Sequence, residues 1–100
     1  MVAQINAIHF EASERLEQFI QKKVDRLYRR FDWILAVEVN LRVVKPESAH
    51  NKEAGILLQV PNSPDLFASK TADTFEEAID ESLDALERQL EKLKDKNANA

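Results

Sequence analysis

One long amphipathic segment, residues 74–96, constrains this chain more than any other feature. Its apolar residues recur at spacings of three and four positions, which places them on one stripe of a helix. These residues are Phe75, Ile79, Leu83, Leu86, Leu90 and Leu93. Thr74, with Glu77 three residues later, or else Asp73, is the expected N-cap. Because the stripe has to be covered, the segment predicts a helix that packs on another layer of structure.

The other periodic segments predict one more helix and four strands. Ser13 is an expected N-cap, and the apolar stripe after it predicts a helix to about residues 30–31. This stripe comprises Leu16, Phe19, Ile20, Val24, Leu27 and Phe31. Residues 35–44 alternate between apolar and polar, which is typical of a strand with one buried face. Further strands are expected at residues 2–8, 53–60 and 66–71.

The predicted order is therefore βαβββα, an α+β fold with a four-stranded sheet. Since the alternating strand has only one apolar face, both helices are expected to pack on that face. Following the chain direction from element to element makes the two helices roughly parallel, with their C-terminal halves at the same end. Length and composition fit a single domain, residues 1–96, followed by a frayed tail at 97–100.

Composition limits both the compartment and the chemistry. The chain has no apolar run long enough to span a membrane and no signal-peptide pattern, so we expect a cytoplasmic protein without a membrane partner. It contains no cysteine, and His9 and His50 lack ligand-like spacing, so no metal or other cofactor is expected. Gly55 is the only glycine, which excludes a glycine-rich phosphate loop. With no nucleophile or acid–base constellation, we expect neither an enzyme nor a small-molecule substrate.

An aromatic cluster lies at the end of the first predicted helix. It consists of Tyr28, Phe31 and Trp33. Core packing and helix termination are the expected roles, and base stacking is the alternative.

Basic residues concentrate in the C-terminal halves of both predicted helices, although the net charge of the chain is −4. The first helix carries Lys22, Lys23, Arg26, Arg29 and Arg30, and the second carries Arg88, Lys92, Lys94 and Lys96. In a parallel arrangement the two groups converge at one end of the domain, and the acidic residues of positions 76–87 are expected elsewhere. Local charge decides what a surface binds, so this end is a candidate phosphate-binding surface.

The helix dipole offers a second interpretation of the same pattern. Acidic first turns and basic last turns both interact favourably with the dipole. Glu87 and Glu91 are also placed to support neighbouring lysines such as Lys92 and Lys94 by local pairing. On this interpretation the basic segments are ordinary solvated helix ends, and periodicity alone leaves both interpretations open.

Three segments carry a resemblance to a known family: AID at residues 78–80, LERQLEKLKDK at 86–96 and KKVDRLYRRFD at 22–32. Together with the βαβββα order, they resemble the ribosome hibernation-promoting factors, also called ribosome-associated inhibitors or ribosomal subunit interface proteins. The resemblance covers nearly the whole chain and implies a fold similar to double-stranded-RNA-binding domains. Because the chain stops at Ala100, it resembles the short form of the family, without an appended dimerisation domain.

The resemblance implies a translation inhibitor that binds the small (30S) ribosomal subunit in the channel used by mRNA and tRNA. It implies contacts to 16S rRNA, hibernation of idle ribosomes under stress or in stationary phase, and a monomer off the ribosome. By matching position it assigns rRNA contacts to Lys23, Arg26, Arg88, Lys92, Lys94 and Lys96. With Lys22, Arg29 and Arg30, these form the complete candidate rRNA-binding set.

A function of a different class stays open beside this one. The polar face of the sheet, with Glu38, Asn40 and Arg42, or an edge strand, can serve a protein-interaction module. In that case the basic helix ends stabilise the helices and have no RNA partner.

Overall fold

The computed structural model of the protein describes residues 1–45, 47 and 49–98, and for positions 96–98 the backbone alone. Over these residues the chain forms four strands and two helices in the order βαβββα, as predicted. The elements are β1 (Gln4–Ala7), α1 (Glu14–Arg30), β2 (Ala36–Val43), β3 (Lys52–Gln59), β4 (Leu66–Ala72) and α2 (Phe75–Ala98). The class is α+β.

Element ends differ from the predicted ones by one or two residues. β1 is shorter than expected because its pairing ends where the amide of Ile8 donates to Leu41, and His9, with φ of 65°, turns the chain away. α2 continues to Ala98, two residues past the expected end at Lys96. Positions 99 and 100 lie outside the described residues, and the frayed tail at 97–100 stays a prediction.

The strands lie in the order β1-β2-β3-β4, with β1 parallel to β2 and the other pairs antiparallel. Val39 of β2 lies directly opposite Ile56 of β3, and both side chains are completely buried. Since successive side chains point to opposite faces, Glu38 and Asn40 lie on the other face, where they are partly exposed. The predicted alternation is therefore confirmed at Val37, Val39 and Leu41, which are buried, whereas Val43, expected on the same face, is 39% exposed because the strand ends there.

α1 begins and ends as the sequence predicts. The Ser13 hydroxyl accepts a hydrogen bond from the amide of Leu16 at 3.1 Å, which satisfies one free amide of the first turn. At the other end the amide of Phe31 donates to the carbonyl of Leu27. The buried side of the helix consists of Leu16, Ile20, Val24 and Leu27.

α2 has Thr74 as its N-cap. The Thr74 hydroxyl accepts a hydrogen bond from the amide of Glu77 at 3.1 Å. The alternative cap, Asp73, instead accepts from the backbone amide of His50 and so ties the β2–β3 connection to the start of the helix.

α2 covers the sheet through its apolar stripe and one hydroxyl. Ile79, Leu83, Leu86 and Leu90 are buried, and Phe75 and Leu93 pack against the core from its margins. Ser82 lies among them with no exposed surface, and its hydroxyl donates to the carbonyl oxygen of Ala54 in β3 at 2.9 Å. This hydrogen bond joins helix and sheet inside the apolar contact, and the side-chain amide of Gln89 donates a second one to the Phe67 carbonyl of β4 at 3.3 Å on the exposed side.

The two helices run in the same direction, as counting strand directions predicted. Lys23 of α1 contacts Asp80 of α2, and Arg30 of α1 contacts Glu87. Both helices advance by seven residues, about two turns, between these contacts. Their C-terminal halves therefore lie at the same end of the domain.

We expect Leu86→Ala to lower the free energy of unfolding by about 2–5 kcal/mol, because it leaves a cavity beneath α2. Leu86 has 0% of its surface exposed, whereas Leu35 is 62% exposed. Leu35→Ala is therefore the matched control, with an expected change of less than about 0.5 kcal/mol. Urea unfolding followed by circular dichroism measures both, and equal losses would contradict the assigned core.

Candidate nucleic-acid interface

The candidate site is built around the groove between α1 and α2. Lys23, Arg26 and Arg30 follow one flank of α1 because they are spaced by three and four residues. Across the groove α2 presents an acidic flank. The depression between them has a volume of about 340 Å³ and is lined by Lys23, Arg26, Leu27, Arg30, Asp80, Leu83, Asp84 and Glu87. The cations of the first helix therefore face carboxylates of the second.

Three carboxylates make direct ion pairs with two of these cations. Lys23 Nζ lies 3.1 Å from Asp80 Oδ1. The Arg30 guanidinium lies 3.2 Å from Glu87 Oε2 through Nη1 and 2.6 Å from Glu91 Oε1 through Nη2. One guanidinium thus joins two successive turns of α2.

This arrangement corrects the expectation that the acidic residues lie away from the basic ones. The parallel helices place the middle of α2, which is acidic, beside the basic flank of α1. Glu87 and Glu91 were candidates for pairing with Lys92 or Lys94, and both contact Arg30 instead. The helix direction that brings the two basic segments together also brings the acidic flank between them.

The predicted convergence of the basic segments is nevertheless present. Arg30 and Arg88 border one depression together with Glu87 and Glu91. Arg30 and Lys94 border a second, beside Phe31. Basic residues of both helices therefore share one end of the domain, with carboxylates interleaved among them.

Six members of the candidate rRNA-binding set form no ion pair with any described residue, and all six are exposed. They are Lys22, Arg26, Arg29, Arg88, Lys92 and Lys94. Lys23 and Arg30 are the paired members. Lys96 lies in α2 by its backbone, and its side chain is outside what the structure describes. These six exposed cations can contact a phosphate without first breaking an ion pair to a described residue.

Lys70 is a further cation near the site, and the sequence pattern assigned it no role. It lies in β4 opposite Ala54, on the face that the helices cover, and borders a depression with Arg88. The sequence could have placed it there, because residues two positions apart in a strand lie on the same face. Lys70 lies two positions from both Ala68 and Ala72, which are buried under the helices.

The aromatic cluster at the end of α1 serves the core. Phe31 is 1% exposed, and its ring meets the Trp33 ring edge-on with centroids 6.0 Å apart. Tyr28 and Trp33 are partly buried and pack against the same core. Packing and helix termination, the expected roles, are what this geometry provides.

Polar side chains on the wet face of the sheet form hydrogen bonds with one another. The Asn6 amide donates to Glu38 at 3.1 Å and to Asn40 at 2.9 Å. Arg42 donates to Glu53 on the neighbouring strand at 2.7 Å. A partner that pairs with these groups has to displace existing bonds, and a function in protein interaction through this face stays a prediction.

The described residues contain neither a metal-binding cluster nor a membrane-spanning helix. No three histidine, aspartate or glutamate side chains there lie close enough together to hold a metal ion. No helix in that part of the chain is both long enough and apolar enough to cross a membrane.

A sheet covered on one face by two parallel helices, with exposed cations gathered at one end, defines a class of small α+β domain whose candidate site is a charged surface. The particular family follows from sequence. Residues 3–98 match the family described as Sigma 54 modulation protein / S30EA ribosomal protein, and the chain belongs to that family.

Individual relatives agree with this assignment. The chain is similar to a ribosome hibernation promoting factor of Pseudomonas putida, with 30% identity over 96 residues, which cover 96% of this chain and 89% of that protein. It superposes on a ribosomal subunit interface protein from Coxiella burnetii with a TM-score of 0.82 and 23% identity, covering 94% of this chain and 98% of that one. For the N-terminal domain of Protein Y from Thermus thermophilus the TM-score is 0.76 at 23% identity, covering 93% and 99%. The two structures show a common fold.

We expect the Lys23–Asp80 pair to contribute about 0.2–1 kcal/mol to stability, as exposed ion pairs do. Its side chains are 31% and 48% exposed, so solvent screens the attraction. A double-mutant cycle of Lys23→Gln and Asp80→Asn, measured by urea unfolding, gives the coupling energy. It should approach zero in about 1 M NaCl, where the screening length falls to about 3 Å. Coupling that does not change with salt would contradict an electrostatic pair.

Proposed function

We propose that the protein is a ribosome-associated hibernation factor. It binds the small (30S) subunit through 16S rRNA, in the channel that mRNA and tRNA use, and silences idle ribosomes under stress or in stationary phase. Family membership supports the proposal, as does the 30% identity to a protein named ribosome hibernation promoting factor. The single observation that carries it is the gathering of exposed cations on two parallel helices at one end of the domain.

The mechanism is occupancy of a binding site, in which no covalent bond is made or broken. Cations on α1 and α2 replace the counterions of rRNA phosphates, and the body of the domain then fills space that mRNA or tRNA needs. The net charge of −4 does not oppose this, because binding depends on the charge of the docking surface. The protein acts in the cytoplasm as a monomer until it meets the subunit, and it needs no cofactor.

The apolar core positions the docking cations. Arg26 follows the buried Val24 by two residues, and Arg88 follows the buried Leu86 by two, so each points away from the sheet on a helix that the core holds in place. Because both helices are held by the same sheet face, the spacing between the two rows of cations is set by the core.

Co-sedimentation with 30S subunits tests the proposal. We expect Arg26→Glu combined with Arg88→Glu to weaken binding at least about tenfold at roughly 0.1 M salt, because two phosphate contacts become repulsive. The dependence of log K on log salt should also become shallower by about 1–2 units. The unchanged protein should sediment with the subunits.

Arg15→Glu combined with Lys45→Glu is the matched control, with the same change in net charge. Arg15 lies near the start of α1, just after the end of β1, and Lys45 lies just after the end of β2. Because β1 and β2 are parallel, both residues lie at the end of the domain opposite the C-terminal halves of the helices. This control should sediment like the wild type. The proposal is wrong if wild-type protein stays in the supernatant, or if both double variants lose binding equally.

A further inference from the structure

Carboxylates of α2 occupy two cations of the candidate rRNA-binding set. Asp80 holds Lys23, and both Glu87 and Glu91 hold Arg30. The side chains of these pairs are between 31% and 57% exposed, so an approaching RNA can reach them. RNA phosphates and these carboxylates therefore compete for the same two cations.

The competition is strongest at Arg30. A guanidinium offers five donors in a planar fork, and here two carboxylates take its two terminal nitrogens. One positive and two negative charges give this cluster a local charge of −1. A phosphate that approaches Arg30 meets this negative charge well within the screening length of about 10 Å at 0.1 M salt.

The exposed cations without an ion pair differ from Lys23 and Arg30 because no carboxylate of a described residue competes with a phosphate for them. Arg26 and Arg88 form no ion pair with a described residue and can contact phosphate without releasing a carboxylate. The surface therefore contains cations of two kinds, one available to any RNA and the other available only after an internal pair opens.

We propose that Glu87 and Glu91 are specificity-determining residues that weaken binding to RNA in general by holding Arg30, and that Asp80 acts in the same way on Lys23. This inference rests on the proposed function, since it concerns the same basic surface. RNA of arbitrary sequence contacts the free cations alone. A target whose shape fits the end of the domain makes enough contacts to open the pairs, and specificity is this difference in affinity.

The experiment uses a short RNA duplex of arbitrary sequence as the probe, with binding measured by fluorescence anisotropy over a range of salt concentrations. The test variant is Glu87→Gln combined with Glu91→Gln. The matched control is Glu76→Gln combined with Glu77→Gln, which changes the net charge equally in the first turn of the same helix, away from Arg30, at exposed residues that form no ion pair with the described chain. Each variant is also made together with Arg30→Gln.

We expect the test variant to bind the duplex about tenfold more tightly than wild type at low salt, with a salt dependence steeper by about 0.9, the value of one further phosphate contact. The control should gain no more than about threefold, with an unchanged salt dependence, because it alters only the long-range field. Adding Arg30→Gln should remove the extra gain from the test variant and have no such effect on the control.

Equal gains in the test and control variants would overturn the inference, as would a gain that survives Arg30→Gln or no measurable gain at the lowest salt. Co-sedimentation with 30S subunits separates this outcome from failure of the proposed function. If wild type sediments but the duplex result is negative, only the carboxylate inference is wrong. If the inference holds, the test variant should gain more affinity for the duplex than for the subunit.

Discussion

Burial of two apolar helix stripes against one face of a four-stranded sheet is the interaction on which the rest of the structure depends. Val39 and Ile56 at the centre of the sheet, Val24 of α1 and Leu86 of α2 are all at most 1% exposed. A chain of 100 residues has enough apolar surface for one such layer, and the opposite face stays wet. Both helices are therefore held side by side, with their outward residues fixed relative to each other.

This fixed arrangement determines the electrostatics of the surface. Once α1 and α2 run parallel on one sheet face, residues that are 57 positions apart in sequence meet across the groove, as Lys23 meets Asp80 and Arg30 meets Glu87. The pairs are too exposed to contribute much to stability. Their larger effect is on which cations are free, because a paired cation and an unpaired one present different charges to a phosphate although their side chains are alike.

Sequence predicted most of the fold because apolar periodicity reports the burial of each residue directly. The spacing of Leu83, Leu86 and Leu90 correctly predicted the buried side of α2, and Ser13 correctly predicted the start of α1. The partners of the charged residues were not predictable in this way, because a pattern along one helix contains no information about its alignment with another. The interleaving of Glu87 with the basic residues depends on that alignment. The rRNA contacts of the basic residues remain a prediction for the same reason, since they depend on a second surface.

The buried hydroxyl of Ser82 helps to fix the position of α2 along the sheet. Apolar side chains such as Leu83 and Leu86 tolerate a helix that slides by one turn, about 5.4 Å, since one leucine can take the place of another. A hydrogen bond does not tolerate such a shift. The shift would separate the buried Ser82 hydroxyl from the Ala54 carbonyl and leave it without an acceptor, which would lower the stability by about 1–3 kcal/mol. The hydrogen bond therefore favours one position of α2 along the sheet over positions shifted by a turn. The alignment of α2 on the sheet, on which the pairing of Glu87 with Arg30 depends, is therefore held in part by a polar atom that no solvent reaches.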